Sequence, residues 1–476
     1  MRPYARTTSG KLKLALLVYG LAFGCAGRVL PPAGQLVVHV GTDAPLPSAP
    51  GAAAPNISPL FDRIRISVFE PQAVTPCVGC VGEFAIDDAL ELRGKISFGA
   101  LLQTGVPGYI AQIDMFRGVA TAQGNPIPRA TVTQFIALPP VGADGVIHLG
   151  AFLSVDTVGN PQGSLTAPMA AINGLPPYDE VGTWHGAAKS PCVGAPKFGE
   201  ACVPGGAYWM GNTRLSEQRE PDSNDTPHLV VVSPFFYDTT EVTVGAFRQS
   251  GLATLGPDVQ DPMKMVSVDP IDALGKTDLY DKRAFCTYTT NAGKNESYAL
   301  NCISWAKAHA YCQAKNSELV TEAQFEYAAS GMASSLYVWG DDTPSCSDAV
   351  YGRGGIGAFS RSGNDCNLTG RNYGPLPSGS GGLDKLSLSG AAIFDLVGNV
   401  SEWTVDKWNR TNEPCWSAPL LVDPVCKTVS PLDGDLQSIR GGAWPTSIGE
   451  IESAQRNPKA GLARPQTGFR CARPGK

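Results

Sequence analysis

The sequence predicts a multidomain protein, in which an N-terminal all-β sandwich of immunoglobulin-like type precedes a C-terminal α+β domain with little regular secondary structure. Short apolar runs of β type recur between turn residues from about residue 34 to 182. From about residue 200 onward, scattered tryptophans and glycines accompany short helix signals. With 476 residues, 54 glycines and 39 prolines, the chain has room for two or three domains and many loops.

The charge of the chain argues against one class of partner. Its 37 Lys and Arg residues are outnumbered by 43 Asp and Glu residues, which gives a formal net charge of −6. Nucleic-acid binding favours a basic face or stripe, so we expect no nucleic-acid partner.

Residues 1–25 have the layout of a bacterial export signal. Basic residues precede the apolar stretch "LALLVYGLAF", which is followed by "GCAG". About ten apolar residues are too few for a helix to cross a hydrocarbon core of about 30 Å. "LAFGC" resembles a lipobox and predicts lipidation of Cys25, which would anchor the protein to a membrane of the cell envelope, on its periplasmic or outer surface. Phe23 is unusual there, and ordinary secretion is the alternative.

The region after the signal divides by composition. Residues 26–60 are rich in Pro, Ala and Gly and are predicted to be partly a disordered tether, overlapping a β-sandwich over 34–182. In "RIRISVF", alternation places Ile64, Ile66 and Val68 on one face of a strand. Residues 183–199 are predicted to be a linker to a domain over 200–475.

Cysteine usage predicts a disulfide framework. Setting Cys25 aside leaves 12 of 13 cysteines, an even number in an oxidising compartment. "CVGC" at 77–80 could instead be a redox or metal pair, and other connectivities are open. Their spacing favours these pairs: Cys77–Cys80, Cys192–Cys202, Cys286–Cys302, Cys346–Cys366 and Cys415–Cys426, which leaves Cys312 and Cys471 for each other.

Two helices can be placed in the C-terminal region. In "NCISWAKAHAYCQAK", Ser304 is a candidate N-cap, and residues from Trp305 to Cys312 place an apolar face at helical spacing. In "LVTEAQFEYAASG", Thr321 and Gln324 form a capping box and Gly331 ends the helix.

Beyond residue 200, eight motifs follow one another along the chain: "GGAYWMG", "TTEVTVGAF", "NCISWAKAHAYC", "LVTEAQFEYAASG", "YVWGDD", "DLVGNVSEW", "RGGAW" and "TGFRCAR". In this order they resemble the formylglycine-generating enzyme, or sulfatase-modifying factor, domain. The resemblance implies a C-type-lectin-like fold braced by calcium and disulfides, and it supports the Cys312–Cys471 pairing. Members of that family oxidise a cysteine within a Cys-x-Pro-x-Arg segment to formylglycine, using oxygen and copper.

The resemblance implies one structural calcium site in "DLVGNVSEW". Asp395 and Glu402 would supply carboxylate oxygens, and Gly398 and Val400 would supply backbone carbonyls. Hard cations take six to eight oxygen ligands of these kinds. The alternative is an acidic turn with solvated carboxylates.

The catalytic cysteines of the family are missing. The enzymes carry two cysteines, separated by four residues, after the RGGSW-type motif, whereas here the stretch reads "PTSIGEIESAQRNPKAGLARPQTGF". Copper(I) prefers thiolates, so we expect no copper and no formylglycine chemistry. A non-haem iron site typically takes two histidines and a carboxylate, and His228 and His309 are the two histidines of this domain, neither of them expected to be a ligand. His228 is expected at an exposed or edge position and His309 in the core.

Two functions remain open at this level. The first is a catalytically silent module that binds an unknown peptide, glycan or envelope protein, with Trp444 and Arg456 as candidate groove residues. Both residues have an equally plausible structural role in the interior. The second is an oxidoreductase of the formylglycine-generating or pyoverdine-maturation type, acting on a peptide or small substrate with an unidentified cofactor.

Overall fold

The computed structural model describes residues 35–47, 58–86, 96–143, 145–211, 227–252, 285–289, 291–367 and 373–476. The predicted signal peptide, including Cys25, and much of the predicted tether lie outside these residues. Within the described ranges, no helix combines the length and apolarity needed to cross a bilayer.

The N-terminal region consists of two sheets on one apolar core. One sheet has the strand order β11-β9-β1-β4 and the other β10-β8-β5-β2-β3. The β1–β9 and β8–β10 pairs are parallel, and the other pairs in these two sheets are antiparallel. The strands are β1 Gln35–Thr42, β2 Arg63–Phe69, β3 Val81–Ala85, β4 Ser97–Leu101, β5 Tyr109–Phe116, β6 Thr121–Ala122, β7 Asn125–Pro126, β8 Val132–Leu138, β9 Val146–Leu153, β10 Met169–Ala170 and β11 Ile172–Asn173.

Alternating hydrophobicity sets the core of this region. Ile64, Ile66 and Val68 of β2 are fully buried, on the face that the sequence predicts. On the opposite face, Arg65 forms an exposed ion pair of 2.7 Å with Glu83 of the neighbouring β3. The short strands β6 and β7 form a separate hairpin.

The segment predicted as a linker belongs in part to the N-terminal core. Trp184 is buried, its backbone N–H donates to the Asp43 carbonyl at 3.0 Å, and its indole N–H donates to Asp156 at 2.7 Å. The composition of 183–199 gave no sign of this packing, which depends on one large aromatic side chain.

The two regions share a packed boundary. Trp209 of the C-terminal region is buried edge-on against Phe61, with ring centroids 5.7 Å apart. Its indole N–H donates to the Leu60 carbonyl at 2.7 Å. The Arg129 guanidinium donates to the carbonyls of Trp416 and Ser417.

The C-terminal region combines small sheets with short helices and long loops. Its sheets have the orders β12-β15-β24-β16, β13-β14-β20, β17-β18 and β22-β21-β19-β23. The strands are β12 Glu200–Val203, β13 Gly206–Met210, β14 His228–Val232, β15 Phe235–Asp238, β16 Glu318–Leu319, β17 Lys385–Leu388, β18 Ala391–Phe394, β19 Ser401–Lys407, β20 Leu420–Val422, β21 Gln437–Arg440, β22 Arg456–Lys459, β23 Thr467–Gly468 and β24 Cys471–Pro474. Within the described residues of this region, the α-helices are Val244–Gln249, Trp305–Ala314 and Glu322–Ala329, and the 3₁₀ helices are Lys294–Ser297, Gly357–Phe359, Pro414–Trp416 and Ile448–Glu450. The 3₁₀ helices that precede it are Pro128–Ala130, Val155–Thr157 and His185–Ala187.

Both predicted helix starts are confirmed. The Ser304 hydroxyl accepts from the Lys307 N–H, and Thr321 and Gln324 form the reciprocal capping box. The buried face of helix Trp305–Ala314 is centred on Ala308, Tyr311 and Cys312.

The six disulfides have the predicted pairing. Five close local loops, and Cys312–Cys471 joins a helix to the last strand across a sequence separation of 159. This bond therefore closes most of the C-terminal region into one loop.

Candidate functional site: a polar cleft beside the RGGAW segment

A cleft of about 540 Å³ lies beside the segment that follows "RGGAW". Its floor is the β22-β21-β19 part of one sheet, which contributes Ser401, Ile439, Asn457 and Lys459. The wall and rim residues are Phe359, Arg361, Ser362, Gly363, Pro445, Thr446, Ser447, Glu450 and Gln466.

The wall over 445–450 is fixed by local hydrogen bonds. Ser447 begins the 3₁₀ helix Ile448–Glu450, and its N–H and hydroxyl both donate to the Glu450 carboxylate at 2.9 Å. The Thr446 carbonyl accepts from the Gly352 N–H at 2.8 Å, which ties this wall to the neighbouring loop. The protein's own hydrogen bonds therefore hold this wall in place.

The loop around Gly363 lies so close to the backbone of Ser447 that only glycine fits at position 363. A Cβ at Gly363 would lie 2.7 Å from the Ser447 Cα, closer than real contacts allow. The Cys346–Cys366 disulfide braces the same loop. The two walls are therefore held at a fixed separation.

Two of the charged groups in the cleft are cations. Arg361 and Lys459 line it together with one carboxylate, Glu450. The residues that the structure describes make no hydrogen bond or ion pair to either cationic side chain. Burial, followed by the nearby Arg464 charge, lowers the pKa of Lys459. The Glu450 charge acts in the opposite direction but does not offset these effects, so both cations lack a directly paired counter-charge.

The cleft has no thiol. All twelve cysteines from Cys77 to Cys471 are in disulfides. The side chains that line it offer hydroxyl, amide, carboxylate and cationic groups. These groups can form hydrogen bonds and ion pairs, but they include no soft ligand for copper(I).

The candidate groove residues Trp444 and Arg456 lie in the interior, which corrects their placement on a groove surface. Trp444 is fully buried and stacks on Phe285 with ring centroids 5.0 Å apart. Arg456 is 4% exposed, and its guanidinium lies over the rings of Trp408 and Trp416. Aromatic packing thus occupies both side chains.

Arg456 belongs to a buried ionic network under the cleft floor. It pairs with Glu322 at 2.8 Å, while Arg440 pairs with Glu326. Burial favours the neutral form of Glu322, but the Arg456 charge outweighs burial, and the pKa of Glu322 is lowered. Asp406 accepts the Glu322 N–H, and burial followed by the Glu322 charge raises the pKa of Asp406 to about 7.

The predicted calcium residues lie in a second buried acidic cluster. One Asp395 oxygen accepts the Gly379 N–H at 2.5 Å, and one Glu402 oxygen pairs with Arg470 at 2.6 Å. The remaining oxygen of each carboxylate is buried without a partner. Burial raises the pKa of both carboxyls. Burial and the Asp395 charge raise the pKa of the nearby Glu241 well above its usual range.

The two orphaned oxygens fit the demand of a hard cation for oxygen ligands. However, within the described ranges no three His, Cys, Asp or Glu side chains are grouped so as to hold a metal ion by themselves. Calcium at this site would therefore depend on backbone carbonyls, as at Gly398 and Val400.

Both C-terminal histidines differ from expectation. His228 is buried on β14 rather than exposed, and burial lowers its pKa to about 3. His309 is half-buried, stacks on Trp305 and contacts Glu318 at 2.8 Å. Neither residue lines the cleft.

The cleft residues Arg361, Lys459 and Gln466 did not stand out in the sequence. They come from separate loops and strands that only the tertiary fold brings together. The one available signal was that Lys459 and Gln466 lie within the altered segment after "RGGAW", and Arg361 had no such signal.

The fold, the disulfides and the thiol-free cleft define a protein of formylglycine-generating-enzyme architecture with a changed site. The family model for the sulfatase-modifying factor enzyme 1-like domain matches residues 192–474, and the chain belongs to this family.

Relatives of known description include both enzymes and an inactive protein. A formylglycine-generating enzyme of Mycobacterium tuberculosis is 26% identical over 306 residues, covering 56% of this chain and 95% of the relative. An inactive C-alpha-formylglycine-generating enzyme 2 of Bos taurus is 26% identical over 299 residues, covering 57% and 86%. The solved structure of PvdO from Pseudomonas aeruginosa has 20% identity and a TM-score of 0.41, covering 58% of this chain and 94% of PvdO.

Proposed function

We propose that this protein is a lipid-anchored binding module of the cell envelope, catalytically silent for copper-dependent formylglycine formation. Its cleft would bind a peptide, glycan or envelope protein. The observation that carries the proposal is a preformed cleft of about 540 Å³ with polar and cationic groups and no thiol. Pockets of this size suit small ligands or short segments of larger ones.

The cysteine inventory supports catalytic silence. The stretch between Trp444 and Phe469 contains no cysteine, and every cysteine from Cys77 onward is in a disulfide. The relative in Bos taurus is described as inactive, so loss of activity has occurred in the family.

The N-terminal region would act as a spacer of immunoglobulin-like type. Its core is apolar, and it contacts the C-terminal region through Trp209 and Phe61. With Cys25 lipidated, it would hold the cleft away from the membrane in a fixed orientation. We further propose one structural calcium ion at Asp395, Gly398, Val400 and Glu402.

An oxidoreductase is the second candidate, and family membership favours it. It would act on a peptide or small substrate with a cofactor not yet identified. Aldehyde formation on a Cys-x-Pro-x-Arg peptide would support this candidate against the binding module.

A cleft-blocking variant tests the binding module. Asn457→Trp fills the cleft floor, and Ser387→Trp on the exposed face of β17 is the matched control. We expect the wild-type chain and Ser387→Trp to capture the same partner from the native envelope, quantified by mass spectrometry. Asn457→Trp should lose it. Equal capture by all three proteins would contradict binding in the cleft.

A further inference from the structure

We propose that the cleft binds an acidic peptide segment, with Arg361 and Lys459 as the anchors for its carboxylates. This inference rests on the proposed binding function and specifies the class of its ligand. A peptide for this cleft would then carry acidic side chains, in contrast to the Cys-x-Pro-x-Arg segment that the resemblance implies for the enzymes.

The charges of the cleft favour an anionic ligand. Arg361 and Lys459 form no hydrogen bond or close ion pair with the described residues. The Glu450 charge favours the ammonium form of Lys459 only from a distance, because its carboxylate accepts from the Ser447 N–H and hydroxyl. The carboxylate thus caps a 3₁₀ helix and does not pair directly with either cation. An anionic ligand would supply the missing counter-charge.

Lys459 is partly buried. Burial and the neighbouring Arg464 disfavour its charged form more than the Glu450 charge favours it, so its pKa is lowered. A carboxylate within hydrogen-bond distance of the ammonium would offset both effects. Arg361 is exposed at the rim, where its guanidinium can bind a second carboxylate in a bidentate manner.

The uncharged side chains of the lining favour a peptide over an acidic glycan. Asn457 and Gln466 present amide side chains, which both donate and accept hydrogen bonds as a peptide backbone requires. Phe359 is the aromatic residue of the lining, and it is 7% exposed. It therefore offers little ring face on which a sugar could stack.

The test uses the full chain and defined probes in isothermal titration calorimetry. The probes are blocked tripeptides of three glutamates, three glutamines or three lysines, together with a trimer of galacturonate. We expect the triglutamate peptide to bind most tightly. Its affinity should fall with added salt, because exposed ion pairs are screened.

Charge-neutralising variants locate the site. Lys459→Gln and Arg361→Gln should each weaken triglutamate binding by about tenfold, as expected for a lost charge-assisted hydrogen bond. Lys385→Gln on the exposed face of β17 removes the same charge away from the cleft and should leave the affinity unchanged. Unchanged thermal unfolding would show that all three variants are folded.

The remaining outcomes would overturn the inference. Equal binding of triglutamine would exclude the role of charge, and preferential binding of galacturonate would exclude the peptide. If no probe binds but Asn457→Trp still loses its envelope partner, the ligand class is wrong and the binding function stands. If no probe binds and Asn457→Trp still captures the envelope partner, both the ligand class and the proposed binding function are wrong.

Discussion

The two regions of the molecule are stabilised in different ways. The N-terminal region over 35–182 has strands of up to eight residues around an apolar core and one local disulfide. The C-terminal region has short strands and long loops, five disulfides and buried ion pairs of the kind that joins Arg470 to Glu402. Where backbone pairing is sparse, side chains must connect distant segments.

The buried pairs of the C-terminal region span long stretches of sequence. Arg456 and Glu322 are 134 residues apart, and Arg470 and Glu402 are 68 apart. In the N-terminal region, the Arg65–Glu83 pair is exposed and joins neighbouring strands. This difference predicts that equivalent substitutions have much larger effects in the C-terminal region.

The largest expected effect is the loss of the long-range disulfide. Replacing Cys312 and Cys471 by alanine should lower the free energy of unfolding by about 5 kcal/mol, because the reduced chain regains the entropy of a loop of about 160 residues. The Cys77 and Cys80 double-alanine variant is the control, with an expected loss of about 2 kcal/mol. Non-reducing denaturant unfolding measures both, and equal losses would contradict the contrast.

Breaking a buried ion pair comes next. Glu322→Gln leaves Arg456 buried without its counter-charge and should cost about 4 kcal/mol. Glu83→Gln in the N-terminal region removes an exposed pair and should cost less than about 1 kcal/mol. Denaturant midpoints compare the two, and a cost for Glu322→Gln as small as that for Glu83→Gln would show that the buried network adds little.

Calcium should have an intermediate effect confined to the C-terminal region. At a concentration one hundred times its dissociation constant, it should stabilise the protein by about 2.7 kcal/mol relative to a chelated sample. Asp395→Ala should abolish the shift in thermal unfolding, and Glu70→Ala in the N-terminal region should retain it. If calcium does not shift the thermal unfolding of the wild-type protein, the proposed calcium site is wrong.

The smallest expected effect, when taken over a single pH unit, is a pH dependence from Asp406. Its folded-state pKa of about 7 lies above its ordinary value of 3.8 because of burial and the Glu322 charge. Its contribution to stability is therefore fully present below about pH 4 and is lost as the pH rises to about 7. The slope is about 1.4 kcal/mol per pH unit.

Asp406→Asn isolates this contribution. The amide has one oxygen to accept the N–H groups of Glu322 and Cys426, so the variant should be less stable overall. Between pH 5 and pH 7, its stability should decline less steeply than that of the wild type. Parallel pH profiles would show that Asp406 is ionised throughout this range.

The sequence predicted features that depend on local patterns. The two capped helices, the buried face of β2 and the six disulfide pairs follow from spacing, turn chemistry and, for Cys312–Cys471, family resemblance. Such features need little knowledge of tertiary contacts.

The sequence did not predict the features that arise from contacts between segments far apart in the chain. Arg456 is buried because Glu322 neutralises it from 134 residues away, and no local pattern marks that pairing. The cleft residues Arg361, Lys459 and Gln466 likewise meet only in the folded chain. His228 is buried on β14, although the proline turn that precedes it in "DTPHLV" indicated an exposed or edge position.

An oxidase assay tests the proposal that this cleft lacks the copper-dependent chemistry of its family. The full chain is supplied with copper(I), oxygen and a Cys-x-Pro-x-Arg peptide, beside the Mycobacterium tuberculosis enzyme as a positive control. We expect no oxygen consumption and no peptide aldehyde above the protein-free background. Repeated turnover of the cysteine to an aldehyde by this chain would contradict it.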